Sequence, residues 1–518
     1  MTANEQPIYR FSEAPIWELQ RAYFEEQGMK AWQNDEVPQY ITSNPMTAMA
    51  YAEVIFGFLQ DRASHGYTTE PVTIVELGAG SGQLAFHIMK ELCELVEYAG
   101  IPLPPFRYVM SDLPVKNITY WQQHASLQPF VQQGLLDFAQ FDAVQDTELR
   151  LTQSGDVIRP GSLQQPVLII ANYFFDSIPQ ELIYVDEGNI YECQVSQQLP
   201  DGADQLTVSE KLEQLRSEYH YRRAAEYEQE AYPYNNVIEL YRQKLEDAHI
   251  LFPAVGLACL ERLSLLSQSG FLLITADKGD HRLENWEFAE PPQLIHHGSF
   301  SITANYHAIQ HVFEQKGALT LFTTHHYKNL NVGCILMLHE PLRYTNTRLA
   351  YRRFVERFGP DDFFSMKLWF DQHLDQMDLS EILSFWRLGG YDAQLFLQSV
   401  NQIADLQPSC EDEDMADIRH GIRVMWNGYY RVEEKHDLAL ECGRLLYQMD
   451  SFEDALVFFE RSIMDHEADA EVLYQMAICC YETDDEAASL RYAQRALTVE
   501  PDHEGATDLI KVLHRIGR

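Results

Sequence analysis

Short apolar runs of strand length alternate with helical stretches over the middle of the chain. The strand candidates are residues 72–77, 107–111, 135–138, 167–172, 270–276, 318–324 and 332–339. Helical stretches at 83–98 and 254–267 lie between them, and this alternation predicts a mostly parallel sheet with helices on both faces. Only about seven residues join the last two candidates. That connection is too short for a helical crossover and predicts an antiparallel hairpin at one edge of the sheet.

The pattern divides the chain into four predicted regions. They are an N-terminal helical segment (1–70), an α/β domain (71–340), a helical linker region (341–420) and helical repeats (421–518). An acidic, tyrosine-rich segment at 205–250 is predicted to be a helical insertion in the α/β domain. It is interpreted either as a solvated insertion or as a substrate cover, because aromatic and acidic groups together suit a cationic side chain.

The last region repeats with a period of 34 residues. At this spacing Gly443 aligns with Ala477, and Ala455 aligns with Ser489. Small residues at helix crossings with this period are typical of tetratricopeptide (TPR) repeats, and an ordinary pair of helical hairpins is the alternative. The sequence thus predicts an all-α repeat domain at the C-terminal end.

The 518 residues include 38 Lys and Arg against 78 Asp and Glu, which gives a formal net charge of −40. This charge argues against binding to nucleic acid or to anionic membranes, which both need clustered cations. Solubility explains it, and attraction of a cationic partner is the alternative. No run approaches the ~18 apolar residues of a membrane span. Without a secretory signal or a CxxC pair, the expected location is cytoplasmic with free thiols.

Histidines cluster in the second half of the α/β domain, at positions 296, 297, 307, 311, 325 and 326. Neither a His-Glu-x-x-His motif nor a compact Cys/His set accompanies them, so we expect no metal site. His307 is a weaker candidate for reaching a substrate.

The strongest local signal is a glycine loop that follows the first predicted strand, Val75-Glu76-Leu77-Gly78-Ala79-Gly80-Ser81-Gly82. Glycines let the backbone turn sharply and approach a ligand closely. The Gly-Lys-Ser/Thr of a phosphate-binding P-loop is absent. The pattern resembles motif I of class I S-adenosylmethionine-dependent methyltransferases. The resemblance implies that Gly78, Ala79, Gly80 and Gly82 pack under the cofactor, while Glu76 supports its amino-acid end.

Two aspartates after the next strands extend this resemblance. Asp112 ends the second predicted strand, where the family places an acidic residue that accepts hydrogen bonds from both ribose hydroxyls. Asp142 follows the third strand, where a polar residue of the family contacts the adenine amine. An ordinary loop aspartate is the alternative for Asp142.

The fourth strand runs into Ala171-Asn172-Tyr173-Phe174-Phe175-Asp176-Ser177-Ile178-Pro179. This segment resembles the Ala-Asn-Glu-Phe-Phe-Asp-Ala-Leu-Pro segment of the MidA family, which includes the mitochondrial complex I assembly methyltransferase. Looser similarity extends over about residues 37–340. The sequence departs from the family at two acidic positions, where it has Tyr173 and Ser301.

The resemblance implies a Rossmann-like class I methyltransferase fold with a seven-stranded sheet, S-adenosylmethionine as cofactor, and methylation of a protein arginine. A guanidinium must be held by carboxylates, which makes Asp176 the first candidate and Glu181 the second. A helix N-cap is the alternative role for Asp176. If the acceptor is another nitrogen or an oxygen, Asn172 and Tyr173 would line its side of the site.

Three functions therefore stay open. The favoured one is a methyltransferase acting on a protein or peptide, expected to be cationic, which the helical repeats help to capture. The second is a methyltransferase acting on a small molecule, as in natural-product tailoring. The third is an assembly or scaffold factor without catalysis, and the intact glycine loop speaks against it. A homodimer is also left open.

Overall fold

Most of the predicted apolar runs form β-strands in the structure. The computed structural model describes residues 7–33, 37–432, 436–467 and 469–516. The strands are, in chain order, β1 Ile8–Arg10, β2 Val72–Leu77, β3 Phe106–Asp112, β4 Leu136–Gln140, β5 Leu149–Arg150, β6 Val157–Ile158, β7 Val167–Asn172, β8 Glu181–Asp186, β9 Asn189–Gln198, β10 Arg216–Arg223, β11 Ala248–Phe252, β12 Gly270–Asp277, β13 Gly279–Asp280, β14 Ile295–His297, β15 Ser299–Ser301, β16 Ala304–Asn305, β17 Leu319–Leu321 and β18 Asn331–Leu338.

Helices occupy the intervals between the strands and the C-terminal part of the chain. They are α1 Pro15–Gln27, α2 Lys30–Gln33, α3 Tyr40–Ser43, α4 Pro45–Ser64, α5 Gln83–Ala99, α6 Val115–Gln123, α7 Gln128–Gln132, α8 Val208–Gln214, α9 Asn235–Lys244, α10 Ala254–Ser264, α11 Tyr306–Gln315, α12 Thr345–Tyr351, α13 Pro360–His373, α14 Leu379–Leu388, α15 Ala393–Leu406, α16 Asp412–Asn427, α17 Leu438–Gln448, α18 Phe452–Asp465, α19 Ala470–Glu482, α20 Glu486–Val499 and α21 Glu504–Ile516.

The chain divides into two compact units, Met1–Met366 and Lys367–Arg518. The first unit contains a seven-stranded sheet in the order β17-β18-β12-β7-β2-β3-β4. The five strands from β12 to β4 run parallel, and β18 lies antiparallel to both β12 and β17. The predicted parallel sheet and its antiparallel edge hairpin are therefore confirmed.

The middle of this sheet is apolar because both of its faces are covered. All six residues of β2 are buried, as are five of the six residues of β7. Continuous apolar runs of this kind are typical of parallel strands buried on both faces. The chain leaves β2 toward β4 and then returns to place β7 on the other side of β2. The strand order thus reverses between β2 and β7, where open α/β sheets bind ligands.

A second, antiparallel sheet combines β1 with four strands, β8 to β11, that lie between β7 and β12 in the chain. It has the order β1-β9-β8-β11, with β10 paired to β9. The helical insertion predicted at 205–250 requires correction, since its middle is strand β10, paired with β9 from Arg216↔Gln198 to Arg223↔Tyr191. Partly buried Ser217 and Tyr219 alternate there with exposed neighbours, which is the period-2 pattern of a half-buried strand. Helices α8 and α9 flank this strand.

The second unit is helical throughout its regular structure. At the two crossings predicted from the 34-residue period, a Cβ on Gly443 would lie 2.7 Å from the Phe459 ring, and Ser489 Oγ donates to the Ala477 carbonyl at 2.8 Å. Small residues thus let α17 and α19 approach their partner helices α18 and α20 closely. Across the described ranges of both units, every helix is too short or too polar to span a lipid bilayer.

Candidate active site

A cavity of about 370 Å³ lies at the carboxyl ends of the parallel strands. Nine of the predicted site residues line it, and they come from four separate strand ends: Glu76, Gly78, Ala79, Gly80, Asp112, Asp142, Asn172, Tyr173 and Asp176. Gly82 and Glu181 are not among the lining residues. Cavities of this size are typical of small-molecule and cofactor sites.

The glycine loop is held in left-handed backbone conformations. Gly78, Gly80 and Gly82 have φ angles of 64°, 55° and 83°, which side-chain-bearing residues rarely adopt. Gly82 does not face the cavity but caps the N-terminus of α5. A Cβ on Gly80 would lie 3.0 Å from the ring of Trp32. Gly80 therefore needs to be glycine both for its backbone angle and for this close approach.

Glu76 lies within β2 and is 3% exposed. Its Oε2 accepts a hydrogen bond from the Tyr108 hydroxyl at 3.0 Å. Burial raises the pKa of Glu76 to about 8, with a smaller contribution from the negative charge of Asp112, while the Tyr108 hydrogen bond opposes the rise. Desolvation favours the neutral form of a carboxyl group. At neutral pH this carboxyl is mostly protonated, so a cation entering the cavity would ionise it.

Asp112 closes β3 and ties the glycine loop to the next helix. Its carboxylate accepts hydrogen bonds from the backbone N–H groups of Leu113 (2.8 Å) and Gly80 (3.0 Å) and from Asn117 Nδ2 (3.0 Å). Burial nevertheless raises the pKa of Asp112, and these three hydrogen bonds oppose the rise. The donors fix the orientation of the carboxylate at the edge of the cavity and leave one of its about four lone-pair sites without a donor.

Asp142 follows β4 and is paired with a cation that the sequence analysis did not identify. Its Oδ2 accepts from Arg21 Nη1 at 2.6 Å and from Gln145 Nε2 at 3.1 Å, and its Oδ1 accepts from the Val144 N–H at 2.9 Å. Arg21 projects from α1. No motif includes Arg21, because the pairing joins residues 121 positions apart.

The N-terminal segment provides one wall of the cavity. Trp17, Arg21 and Phe24 of α1 line it, together with Trp32 of α2. The rings of Phe24 and Trp32 stack at 6.1 Å. Helix α1 follows β1 after a 3₁₀ turn at Phe11–Glu13, and β1 is a strand of the second sheet. The aromatic residues of this segment were the available sequence signal, although nothing in their spacing pointed to a cavity.

The turn after β7 forms the opposite wall. Asn172 Oδ1 accepts from the Tyr51 hydroxyl at 2.7 Å, while Asn172 Nδ2 is buried without a hydrogen-bond partner among the described residues. Tyr173 has a φ of 46° and donates its N–H to the Ala276 carbonyl at 2.9 Å. Strained backbone of this kind is concentrated at ligand sites. The orphaned amide of Asn172 offers a hydrogen-bond donor to a bound ligand.

Asp176 is 2% exposed and lines the cavity at the end of this turn. The helix N-cap alternative is wrong, because the chain continues through a turn into strand β8. Ser177 Oγ donates to its Oδ1 at 2.7 Å. Lys278, His297 and Ser301 line the same end of the cavity.

The second acceptor candidate, Glu181, instead begins β8. Its Oε2 accepts from the Tyr232 hydroxyl at 3.2 Å, and its Oε1 lies 4.0 Å from Arg10 Nη1. The tyrosines of the insertion also lie away from the cavity. Tyr227, Tyr234 and Tyr241 belong to the buried core and are not among the described lining residues. Among the described residues, α1 and α2 contribute to the lining of the cavity and the insertion does not.

The clustered histidines do not share one environment. His307 Nδ1 lies 2.9 Å from the Tyr241 hydroxyl and does not line the cavity, and His326 Nδ1 lies 2.8 Å from Arg282 Nη1. In the part of the chain that the structure describes, no group of three or more His, Cys, Asp or Glu side chains is placed to hold a metal ion.

Comparison with known proteins completes the description of this site. No curated protein matches the chain. Among solved structures, an uncharacterized superfamily protein from Burkholderia thailandensis is 13% identical, with 65% of this chain and 90% of that chain covered and a TM-score of 0.40. A member of the same superfamily from Burkholderia thailandensis, a candidate methyl transferase bound to S-adenosyl-homocysteine, is 14% identical, with 60% and 81% covered and a TM-score of 0.38.

A family model gives the broader match. Residues 58–334 match the family described as "Putative S-adenosyl-L-methionine-dependent methyltransferase". This range contains the glycine loop, Asp112, Asp142 and the turn after β7. Because the match spans 277 of the 518 residues, more than half of the chain, the protein belongs to this family of S-adenosyl-L-methionine-dependent methyltransferases.

Proposed function

We propose that this protein is a class I methyltransferase with a Rossmann-like domain, related to MidA proteins, that methylates a protein or peptide side chain. An arginine guanidinium is the favoured acceptor. Its family uses S-adenosylmethionine as the cofactor. The observation that carries the proposal is the convergence of Glu76, Asp112, Asp142 and Asn172 on one cavity beside a left-handed glycine loop.

The residues of the cavity fit this cofactor chemically. The buried amide of Asn172 has a free donor, and Gly78 leaves space beside it, since a Cβ there would meet only the Phe174 ring, at 3.8 Å. Glu76 and Asn172 would hold the amino-acid end, Asp112 the ribose hydroxyls, and Asp142 the adenine amine. When bound, S-adenosylmethionine supplies a methyl group activated by its cationic sulfur. The acidic side chains suit a cationic ligand, and α1 with α2 excludes water from it.

Methyl transfer is mainly a problem of orientation, so the acceptor side needs groups that hold a nucleophile in line. Asp176 is the carboxylate at that end of the cavity, and Asn172 and Tyr173 lie beside it. A carboxylate pairs well with a guanidinium. Residues 367–518 contain 31 acidic and 13 basic residues, a net charge of −18. This charge supports a TPR-like surface that attracts a cationic peptide.

One observation favours the second candidate, methylation of a small molecule. Lys278 lines the cavity together with Asp176, and its ammonium group disfavours a second cation in that space. A compact acceptor that carries an anionic group would fit this pair of opposite charges better than arginine does.

Cofactor binding is the first test, measured by titration calorimetry with S-adenosylmethionine. Gly80→Val and Asp112→Ala should abolish binding. Gly66→Val is the matched control for the first change, because Gly66 also has a positive φ but nothing within 4 Å of its Cβ position. Asp156→Ala is the control for the second, since that aspartate is exposed. Full affinity in both site variants, or none in the wild type, would refute the assignment.

The acceptor is tested with tritiated S-adenosylmethionine and a cell lysate separated into protein and small-molecule fractions. Label in protein that mass spectrometry places on arginine supports the favoured acceptor. Label confined to the small-molecule fraction supports the alternative. In either case the label should disappear with Asp112→Ala.

A further inference from the structure

Two carboxyl groups meet behind the acceptor end of the cavity. Asp277 is the last residue of β12 and is fully buried, and Asp176 lies in the turn after the neighbouring strand β7. The backbone N–H of Asp176 donates to Asp277 Oδ2 at 3.2 Å, and the two carboxyl groups lie close enough to hydrogen-bond each other when one of them is protonated. Asp277 Oδ1 has no hydrogen-bond partner among the described residues. Asp176 reaches the cavity, whereas Asp277 does not line it.

Two buried carboxyl groups in contact cannot both be ionised, so such a pair holds one proton between them. Burial raises the pKa of both groups, and the charge of Asp176 raises that of Asp277 further. Among the described residues, the other titratable groups that interact electrostatically with the pair are the phenols of Tyr51, Tyr173, Tyr306 and Tyr327 and the ammonium of Lys278.

The neighbouring groups have different effects on the charge of the two carboxyl groups. Lys278 and the Ser177 hydroxyl both stabilise the anionic form of Asp176. Asp277 faces mainly neutral phenols; the backbone N–H groups of Asp176 and Lys278 stabilise its anionic form, but burial and the charge of Asp176 outweigh them. Negative charge therefore belongs on Asp176, at the cavity, and the proton belongs on Asp277, in the interior.

We propose that Asp277 stays protonated and donates its proton to Asp176 in a hydrogen bond, as a positioning residue that aims an ionised Asp176 at the methyl acceptor. This rests on the proposed methyltransferase function. As the acceptor nitrogen or oxygen bonds to the methyl carbon, the carbon–sulfur bond breaks with its electron pair on sulfur. The proton of the acceptor passes to Asp176. The substrate class is thus a nucleophile with an N–H or O–H group, which excludes thioethers and tertiary amines.

The test is a pH titration of Asp176 in the cofactor-free protein by infrared difference spectroscopy, with Asp176→Asn as the baseline. Asp277→Asn keeps a neutral hydrogen-bond donor, so the pKa of Asp176 should stay within about half a unit of its wild-type value. Asp277→Leu has no donor, so that pKa should rise by about one unit. If Asp277 were ionised instead, both variants would remove a negative charge, and both would lower the pKa. A lowered pKa in Asp277→Asn overturns the proposal.

Transfer of tritium from S-adenosylmethionine to lysate components gives the second readout. Asp277→Asn should keep activity within about threefold at pH 7.5. Asp176→Asn should lose about a hundredfold or more, as expected when a proton acceptor is removed. Calorimetry should find unchanged cofactor affinity in both variants.

Activity of Asp176→Asn within threefold of wild type overturns the role of the pair. If the wild type binds no cofactor, the proposed function fails, while the titration still decides where the proton lies. Should Asp277→Leu not fold, Asp277→Asn alone decides by the same criterion.

Discussion

Glu76 provides a direct test of the electrostatics of the cavity. Its carboxyl is buried within β2, and this burial raises its pKa from an ordinary 4.5 to about 8. Glu76→Gln removes the ionisation but keeps a carbonyl oxygen that accepts from the Tyr108 hydroxyl. The substitution therefore isolates the cost of burying the charge.

The sign follows from proton binding. Between pH 4.5 and 8 the folded protein holds a proton on Glu76 that the unfolded chain has released, so wild-type stability falls as the pH rises. Each pH unit costs about 1.4 kcal/mol, and the interval from pH 6 to pH 8 therefore amounts to about 3 kcal/mol. Glu76→Gln has no group to ionise at this position, so it does not lose this stability as the pH rises. The raised pKa values of Asp112 and of the pair Asp176 and Asp277 make stability depend on pH in both wild type and Glu76→Gln. Their effects therefore cancel when the stabilities of the two proteins are compared.

The measurement is the melting temperature of the cofactor-free protein at pH 6 and pH 9. The unit Met1–Met366 has an unfolding entropy of about 0.8 kcal/mol/K at ~2.1 cal/mol/K per residue. The variant should therefore gain about 4 °C relative to wild type between the two pH values. Glu213→Gln, which changes an exposed glutamate of α8, is the control and should show no such gain. Parallel pH profiles for wild type and Glu76→Gln would refute the reasoning.

Three further expectations follow from the same structure. Binding of S-adenosylmethionine at pH 7 should release up to one proton from Glu76, seen by calorimetry in buffers of different ionisation enthalpy; equal observed heats in all of the buffers would contradict this. Arg21→Ala and Asp142→Asn should couple by about 1 kcal/mol in a double-mutant cycle of stability, a modest value because the Arg21 side chain is 42% exposed; additive effects would argue against the pairing. Gly57→Ala should destabilise the first unit by about 1–3 kcal/mol, since its Cβ would lie 2.8 Å from the Asn346 backbone. An unchanged melting temperature would contradict this and would show that α12 can shift to make room for the methyl group.

The local pattern of apolar residues and glycines was sufficient to predict the architecture of the large sheet. The apolar runs of β2 and β7, the short connection before β18 and the glycine loop are all contiguous in the chain. Their physical causes, strand burial and left-handed turns, act over a few residues. A strand that ends at Asp112 or Asn172 must bring those side chains to the same sheet edge as Glu76, because parallel strands share a carboxyl end. Burial of the insertion was harder to infer, since β10 becomes a strand by pairing with β9.

The sequence by itself determined the strands of the large sheet, the glycine loop and the acidic side chains Glu76, Asp112, Asp142 and Asp176 in or after those strands. Only the tertiary structure decided which partners those side chains have. Arg21 reaches Asp142, Tyr51 reaches Asn172, and Asp277 meets Asp176 across 101 positions of sequence. Such contacts leave no periodicity in the chain, because they depend on how separate elements pack. For the same reason the charge states of the cavity carboxyl groups follow from burial and neighbours, which exist only in the folded protein.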